Sequence, residues 1–493
     1  MNERIRRLAA VLLVCYLVLF VQLNLLQVIR RPQIAANSNN NRAILRDFDR
    51  PRGAIVTADG VVIAASQPSA DTKFKYQRTY PQGDLFADVS GYYTFGFGAT
   101  KIEKKYSDVL SGRTGQQQLG SIANIFSGAD TTGSVRLTMR ADIQQVAKDA
   151  LGAREGSVVV LDPKTGAVLA MWSYPTYDPN QVAVHDNTQA KNVLAFLNAL
   201  PGKPLLANAY QERYMPGSTF KVITTATAIE AGVINFDSKW ANETSYTPPQ
   251  TTNPIQNYAG HICGGDLREV FRRSCNTPFA RTSVLVGAQG MVAGAKAWGI
   301  GEPIPFDLPG GAASHFGEVA DFKDAIPKLA IRGFGQDDDQ IVPMHMAMFS
   351  ATVANAGQMM KPYVVDATLD HAGKVLSKTV PSVWKTPITP QTAAMMNELM
   401  VGVVENGTAS CCMKLANGIQ AAAKTGTAQL NATGQPQRSH AWITAFAPAD
   451  NPQYAVAVML KGTTAEISAG TGGKLAGPIA KTILDYALAH PLG

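Results

Sequence analysis

The run Gly156-Ser157-Val158-Val159-Val160-Leu161, the turn Asp162-Pro163-Lys164-Thr165-Gly166 and the run Ala167-Val168-Leu169-Ala170-Met171-Trp172 read as strand, turn and strand. Short unbroken apolar runs suit strands covered on both faces, and Asp-Pro with a following Gly ends the first of them. Near the far end of the chain, residues 419–430, 440–446 and 454–460 read as three more strands, separated by turns rich in Gly, Asn, Pro and Asp. A closing helix over about 474–489 is amphipathic through Ile479, Ile483, Leu484 and Leu488. Two early strands, a helical and loop block from about 220 to 357, three late strands and a helix predict one antiparallel five-stranded sheet built from both ends of the domain. Helices would cover both of its faces, an α/β arrangement without βαβ alternation.

Working outward, the 493 residues exceed what one core usually serves, so two or three domains are expected. A hydrophobic share of 46% and a charged share of 16% describe a globular chain and exclude a disordered one. The net charge of +7 comes without a long Lys/Arg run beyond the amino terminus and without an aromatic-basic module, so no nucleic-acid partner is expected. Anionic membrane or wall polymers fit it better.

Residues 8–21 carry no charge, and the uncharged run continues to Ile29. It is long enough to span a bilayer, and Arg4, Arg6 and Arg7 before it predict a cytoplasmic tail (1–7), a signal anchor (8–29) and everything later outside the cell membrane. A cleaved signal peptide is the alternative, but Ile34-Ala35-Ala36 is a poor cleavage site. Residues 30–43 read as a polar linker. Residues 52–64 form a hairpin turning at Asp59-Gly60, and 91–110 pass from aromatic to charged helical sequence. These place a small, mostly-β, non-catalytic domain at 30–150 and the large domain at 151–493.

Cys15 falls in the anchor, whereas Cys263, Cys275, Cys411 and Cys412 fall outside, where disulfides are permitted. Adjacent Cys411 and Cys412 are not expected to pair with each other, and four cysteines allow three connectivities. No His/Cys cluster has metal spacing, so no metal or cofactor is expected, and His261 reads as an ordinary loop histidine.

The chemistry centres on Tyr214-Met215-Pro216-Gly217-Ser218-Thr219-Phe220-Lys221. Ser218 opens a helix and Lys221 follows three residues later on the same face. A serine nucleophile needs a neighbour to take its proton, and a lysine does so only when burial or another cation lowers its pKa. A Ser-x-x-Lys alone is weak: Ser382-Val383-Trp384-Lys385 also fits, but surrounding prolines argue for a loop. Ser274-Cys275-Asn276 and then Lys424-Thr425-Gly426-Thr427 follow in order, after a helix-like segment and on a strand. The decoys Lys164-Thr165-Gly166 and Ser38-Asn39-Asn40 lie in a hairpin turn and in the linker. In this trio Lys424 holds a substrate carboxylate and depresses the pKa of one or both lysines, and Thr425 offers its hydroxyl to that carboxylate. Gly426 lets a substrate backbone lie along the strand. The backbone N–H groups of Ser218 and Thr427 form an oxyanion hole, Ser274 relays a proton between Lys221 and the leaving amine, and Asn276 binds the substrate amide.

Ser-x-x-Lys, Ser-x-Asn and Lys-Thr-Gly in this order are the motifs of penicillin-binding proteins and class A β-lactamases. The chain resembles a class B penicillin-binding protein of the actinobacterial penicillin-binding protein A type over nearly its whole length. Supporting stretches are Arg52-Gly53-Ala54-Ile55, the 156–166 hairpin, Gly335-Gln336 leading into Pro343, Ala354-Asn355-Ala356-Gly357, and His440-Ala441-Trp442 with Ala447-Pro448. The resemblance implies the penicillin-binding transpeptidase fold and a monofunctional D,D-transpeptidase of cell wall synthesis in growth or division. It further implies a Ser218 acyl-enzyme with release of terminal D-alanine, covalent inhibition by β-lactams, and a SEDS-family glycan polymerase docking on the anchor and residues 44–150. About 110 residues before the large domain are too few for a glycosyltransferase. Two rival readings remain: a D,D-carboxypeptidase or β-lactamase with the same acyl-serine, and a β-lactam sensor or scaffold without turnover. Cys275 inside the middle motif leaves open a disulfide to Cys263.

Overall fold

The computed structural model describes residues 2–26, 48–70, 74–119, 131–431 and 435–491. The expected linker at 30–43, with Ser38-Asn39-Asn40 and Ile34-Ala35-Ala36, lies outside these residues. Helix α1 (Asn2–Asn24) starts inside the stretch expected as a tail. It is exposed along its length and, among the described residues, is the one helix long and apolar enough to cross a membrane.

Strands β1 (Ile55–Val56) and β2 (Val62–Pro68) form the expected hairpin, its turn relaxed by Gly60 at φ +83°. Strand β3 (Tyr76–Thr79) pairs with β2, and β4 (Ser134–Leu137) runs parallel to β1. Helix α2 (Ala141–Leu151) follows, then β5 (Gly156–Leu161) and β6 (Val168–Tyr174) around a turn closed by Asp162, whose carboxylate accepts from Lys164 N and Thr165 Oγ1. Helix α3 (Asn187–Ala199) precedes the Ser218 turn; Asp186 caps it, accepting from Thr188 N and Gln189 N. Next come α4 (Lys221–Glu230), α5 (Leu267–Arg272) and α6 (Thr277–Ala297, broken at Gly287). Helix α7 (Pro343–Ala354) precedes β7 (Val365–Leu369) and β8 (Val375–Lys378). Helix α8 (Pro390–Asn406), strands β9 (Ala422–Gln429), β10 (Ser439–Ala447) and β11 (Tyr454–Leu460), and helix α9 (Gly472–Ala489) complete the chain.

The five-stranded sheet has the order β9-β10-β11-β5-β6, antiparallel throughout. Every residue of β5, β10 and β11 is buried, which is why β5 and β11 read as near-continuous apolar runs and not as alternating ones, while β10 buries Ser439, His440 and Thr444 among its apolar residues. Helix α7 covers one face and is buried from Pro343 to Val353, as a helix apolar all round must be. Helices α9 and α2 cover the other face.

Packing crosses the boundary expected at residue 150. Helix α2 lies against β6 and α9, and its buried Gln144 donates to Leu85 O and Met171 O while accepting from Met171 N. In the other direction β7 and β8 join the amino-terminal sheet, whose order is β8-β7-β4-β1-β2-β3. Strand β7 covers the edge of β4 that faces away from β1, Val365 opposite Leu137. Two details also differ from expectation. Ser382-Val383-Trp384-Lys385 is not helical, as expected, but Val383–Lys385 is a short strand paired with Met359–Met360 rather than a loop. Cys411 and Cys412 are bonded to each other: the chain leaves α8 in tight turns, with Cys412 N and Met413 N both donating to Ala409 O, that bring the two thiols together.

Candidate active site

Gly217–Phe220 forms a 3₁₀ turn that runs into α4, so Ser218 lies on the turn and Lys221 at the first position of the helix. The turn is pinned from three sides. Tyr214 and Ile341 exchange backbone bonds, Gly217 N donates to Gly335 O at 2.8 Å, and Trp442 Nε1 donates to Met215 O at 2.9 Å. Gly217 has φ +55°, and a Cβ there would meet Thr427 O at 2.5 Å. The turn thus sits directly on β9, with Ser218 half-buried.

Helix α4 is buried from Lys221 to Ala228. The Lys221 ammonium donates to Ser274 O at 2.8 Å and Asn276 Oδ1 at 2.9 Å, with Ser274 Oγ at 3.4 Å, and lies over the Phe279 ring. Its bonds run to the second motif and not to the Ser218 hydroxyl.

Ser274 ends the turn after α5 in the left-handed region, φ +59°, an uncommon conformation for a residue other than glycine. That conformation aims its carbonyl at Lys221. It is held by Ser274 N donating to Phe271 O, by Cys275 N donating to Val270 O, and by a Cys263–Cys275 disulfide, which resolves the pairing left open by the sequence. Cys263 comes from a short strand, Cys263–Asp266, paired with Lys239–Glu243, and His261 beside it is exposed.

Buried Asn257 was not singled out by sequence. Its Oδ1 accepts from Asn276 N at 2.7 Å and Thr277 N at 3.0 Å, while its Nδ2 donates to Glu243 O. It therefore satisfies the first orphan N–H groups of α6 and fixes the Asn276 backbone. No local pattern marks a loop asparagine for this task, because its partners are backbone groups 19 and 20 residues away.

Lys424, fully buried on β9, donates to Ser274 Oγ at 2.7 Å and Thr425 O at 2.9 Å. The Ser274 hydroxyl is thus bracketed by two ammonium groups. Burial, and then the Lys424 charge, push Lys221 well below the usual lysine range, and burial lowers Lys424 to about 7. Of the expected depression of one or both lysines by their neighbour, only that of Lys221 by Lys424 is found, and burial is the larger cause for Lys221 and the cause for Lys424. Thr425 Oγ1 shares a hydrogen bond with Thr408 Oγ1 at 2.6 Å, a second residue that sequence reading missed. A Cβ on Gly426 would meet Pro216 O at 2.7 Å and Thr219 N at 3.0 Å. Glycine is required there by the Ser218 turn, a different reason from the substrate approach expected. Thr427 O lies on the free edge of β9, and in an antiparallel ladder its N–H points the same way. Ser218, Lys221, Ser274, Asn276 and Lys424–Thr427 are therefore gathered at one place, whereas Lys164-Thr165-Gly166 lies in the β5–β6 turn. Among the described residues there is no cluster of His, Cys, Asp and Glu that could hold a metal.

The chemistry available to such a cluster is acyl transfer: a serine beside a lysine whose proton affinity is low enough for it to act as a base, a hydroxyl relay, and strand-edge N–H donors. Comparison with known proteins agrees. Residues 156–485 match the family of the penicillin-binding protein transpeptidase domain, and residues 52–135 match the penicillin-binding protein A dimerisation domain. The chain is 36% identical over 499 residues to the peptidoglycan D,D-transpeptidase PbpA of Mycolicibacterium smegmatis, covering 99% of each, and 35% identical to PbpA of Mycobacterium tuberculosis, again covering 99% of each. Among solved structures, the ceftriaxone acyl-enzyme complex of penicillin-binding protein A from M. tuberculosis aligns with a TM-score of 0.83 at 34% identity, covering 90% of this chain and 100% of that one. Its penicillin G acyl-enzyme complex aligns at 0.81, also at 34% identity, covering 89% and 100%. A match of this breadth reaches well past three short motifs, and on it the chain belongs to the penicillin-binding protein transpeptidases, alongside those of the penicillin-binding protein A type.

Proposed function

We propose that this chain is a peptidoglycan D,D-transpeptidase in which Ser218 carries the acyl group. The observation that carries the reading is the Ser274 hydroxyl held between Lys221 and Lys424, beside the Ser218 turn and the free edge of β9. Full-length relatives named as D,D-transpeptidases favour it over a carboxypeptidase or a non-catalytic scaffold.

Neutral Lys221 accepts the Ser218 proton as Oγ attacks the carbonyl of the penultimate D-alanine of a stem peptide. The negative charge on that oxygen is met by the N–H groups of Ser218 and Thr427, each such donor being worth about 10²–10³ in rate. Ser274 passes the proton from Lys221 to the departing nitrogen, the amide bond breaks, and D-alanine leaves. An amine of a neighbouring stem peptide then attacks the ester, gives up its proton along the same route, and Ser218 regains its hydroxyl. Lys424 holds the donor carboxylate with Thr425, and Asn276 holds the donor amide. A β-lactam enters by the first step: its ring amide opens onto Ser218.

The apolar helix α1 fits a single-pass anchor with the catalytic domain outside the cytoplasm. By sequence range the tail is 1–7, the anchor 8–29, the amino-terminal domain 30–150 and the transpeptidase domain 151–493, with α2 packed on the large sheet and β7 and β8 joined to the amino-terminal one. A SEDS-family glycan polymerase docking on the first two is part of the same proposal.

Intact-mass measurement of the detergent-solubilised full chain after exposure to penicillin G, beside a Ser218→Ala control, tests the reading. One persistent penicillin mass on the wild type alone is expected. No adduct with intact drug would overturn it, and rapid loss of drug without adduct would make the protein a β-lactamase.

A further inference from the structure

Gln336 belongs to a stretch singled out in the sequence, yet none of the steps above uses it. Gly335, at φ +78°, is packed so closely on the nucleophile turn that a Cβ would fall inside Gly217 O. The next residue, Gln336, is thereby placed beside β9, half-buried, at the far end of the free edge. In one orientation its amide nitrogen lies 3.4 Å from Thr427 O. Turned so that each amide atom meets its complement, it donates to Gln429 O at 3.2 Å and accepts from Gln429 N at 3.3 Å. A side-chain amide that exchanges two bonds with one strand residue reproduces what a neighbouring strand's peptide groups would do.

In an antiparallel ladder the outward-facing residues of β9 alternate, so Thr425, Thr427 and Gln429 present N–H and C=O groups to the open side. The Lys424 ammonium takes Thr425 O, and Gln336 takes Gln429. Thr427 remains as the position at which an added chain can pair. With the donor's terminal carboxylate toward Lys424, the penultimate residue lies opposite Thr427, the residue before it lies opposite Ala428 with its own N–H and C=O turned away from β9, and the one before that arrives opposite Gln429.

Resting on the transpeptidase reading, we propose that Gln336 is a specificity-determining residue: its amide stands in for a peptide group at Gln429, ends the strand-addition track after Thr427, and limits backbone pairing of the donor with β9 to its penultimate residue. The residue two before the penultimate one must then leave the strand edge, so its identity is not gripped by β9.

Two peptide boronic acids test this, one an N-acetylated dipeptide that ends in the boronic analogue of D-alanine and the other extended by one further blocked residue. Each is measured by its competition with fluorescent penicillin for the full chain in detergent. Wild type is expected to bind the two within about twofold. Gln336→Ala frees the Gln429 N–H and C=O, and the extended compound should gain about fivefold over the short one, the worth of one added backbone hydrogen bond. Gln336→Glu keeps the length but sets a carboxylate against the Gln429 carbonyl, and should shift the ratio the same way if the Ala variant does not fold. An unchanged ratio in variants that still take up penicillin, or an equal loss for both compounds, would overturn the inference and leave the transpeptidase reading standing. Absence of penicillin uptake by wild type would remove that reading, and the inference with it.

Discussion

Lys424 and Ser274, 150 residues apart, meet at 2.7 Å, and this contact joins the third motif to the second without touching Ser218. It makes the Ser274 hydroxyl an acceptor for Lys424 while Lys221 approaches the same oxygen at 3.4 Å. One proton more or less on this pair therefore changes both the base and the charge that grips the donor.

The rate of penicillin acylation should follow a bell in pH. On the acid side, falling pH puts a proton on Lys221, which burial and Lys424 have pushed down, and the base is lost. On the alkaline side, rising pH through about 7 removes the Lys424 charge and with it the attraction for the drug's carboxylate. Lys424→Arg keeps its charge at every accessible pH, so the alkaline limb should vanish, with the maximum lowered about tenfold because a planar fork does not fit a point-charge site. Stopped-flow acylation from pH 5 to 10 checks this, and an alkaline limb that survives in the arginine variant would sink the assignment.

Asn257→Ala leaves Asn276 N and Thr277 N without their acceptor, at a cost of about 1–3 kcal/mol in stability. Acylation should fall by about tenfold, since Asn276 loses its fixed backbone. Asn257→Asp keeps both acceptor bonds and should recover most of the rate, which a merely space-filling residue would not do. Thermal melts and penicillin titration of the three proteins separate these outcomes.

Replacing Cys263 and Cys275 together by serine opens a loop closed across 12 residues. Chain entropy puts the loss at about 3 kcal/mol. Because this loop also maintains the left-handed Ser274, acylation should slow more than the melting temperature alone explains. Equal rates in the oxidised and the serine form at 20 °C would show that the other bonds suffice.

Gly426→Ala should lower both stability and acylation, as its methyl group would press on Pro216 O and Thr219 N beneath the nucleophile. A normal melting temperature with normal penicillin uptake would contradict the packing described.

The large sheet was legible because its central strands are buried on both faces and so leave near-continuous apolar runs, β5 and β11 above all. That the Ser218, Ser274 and Lys424 motifs come together was expected from their order and context, since each motif alone has decoys. What escaped depends on distant partners. Asn257 works on backbone groups, so its own residue type carries no signal. Cys411 and Cys412 close only because the chain turns sharply after α8. Gly426 was singled out for substrate approach, whereas the packing that requires a glycine there comes from a turn more than 200 residues earlier. Strand β7 shows nothing in its sequence of the amino-terminal sheet that it completes.

The order β9-β10-β11-β5-β6 has a consequence for biogenesis. Strand β5 emerges from the ribosome about a third of the way through synthesis, yet its partner β11 ends at Leu460. Closing contacts this distant in sequence makes folding slow and late. A nascent chain carries Ser218, Lys221 and Ser274 for a long interval before Lys424 and its sheet exist. Chains arrested before Tyr454 should therefore take up no penicillin, whereas full-length chains do, and drug uptake during synthesis would time the moment at which the sheet closes.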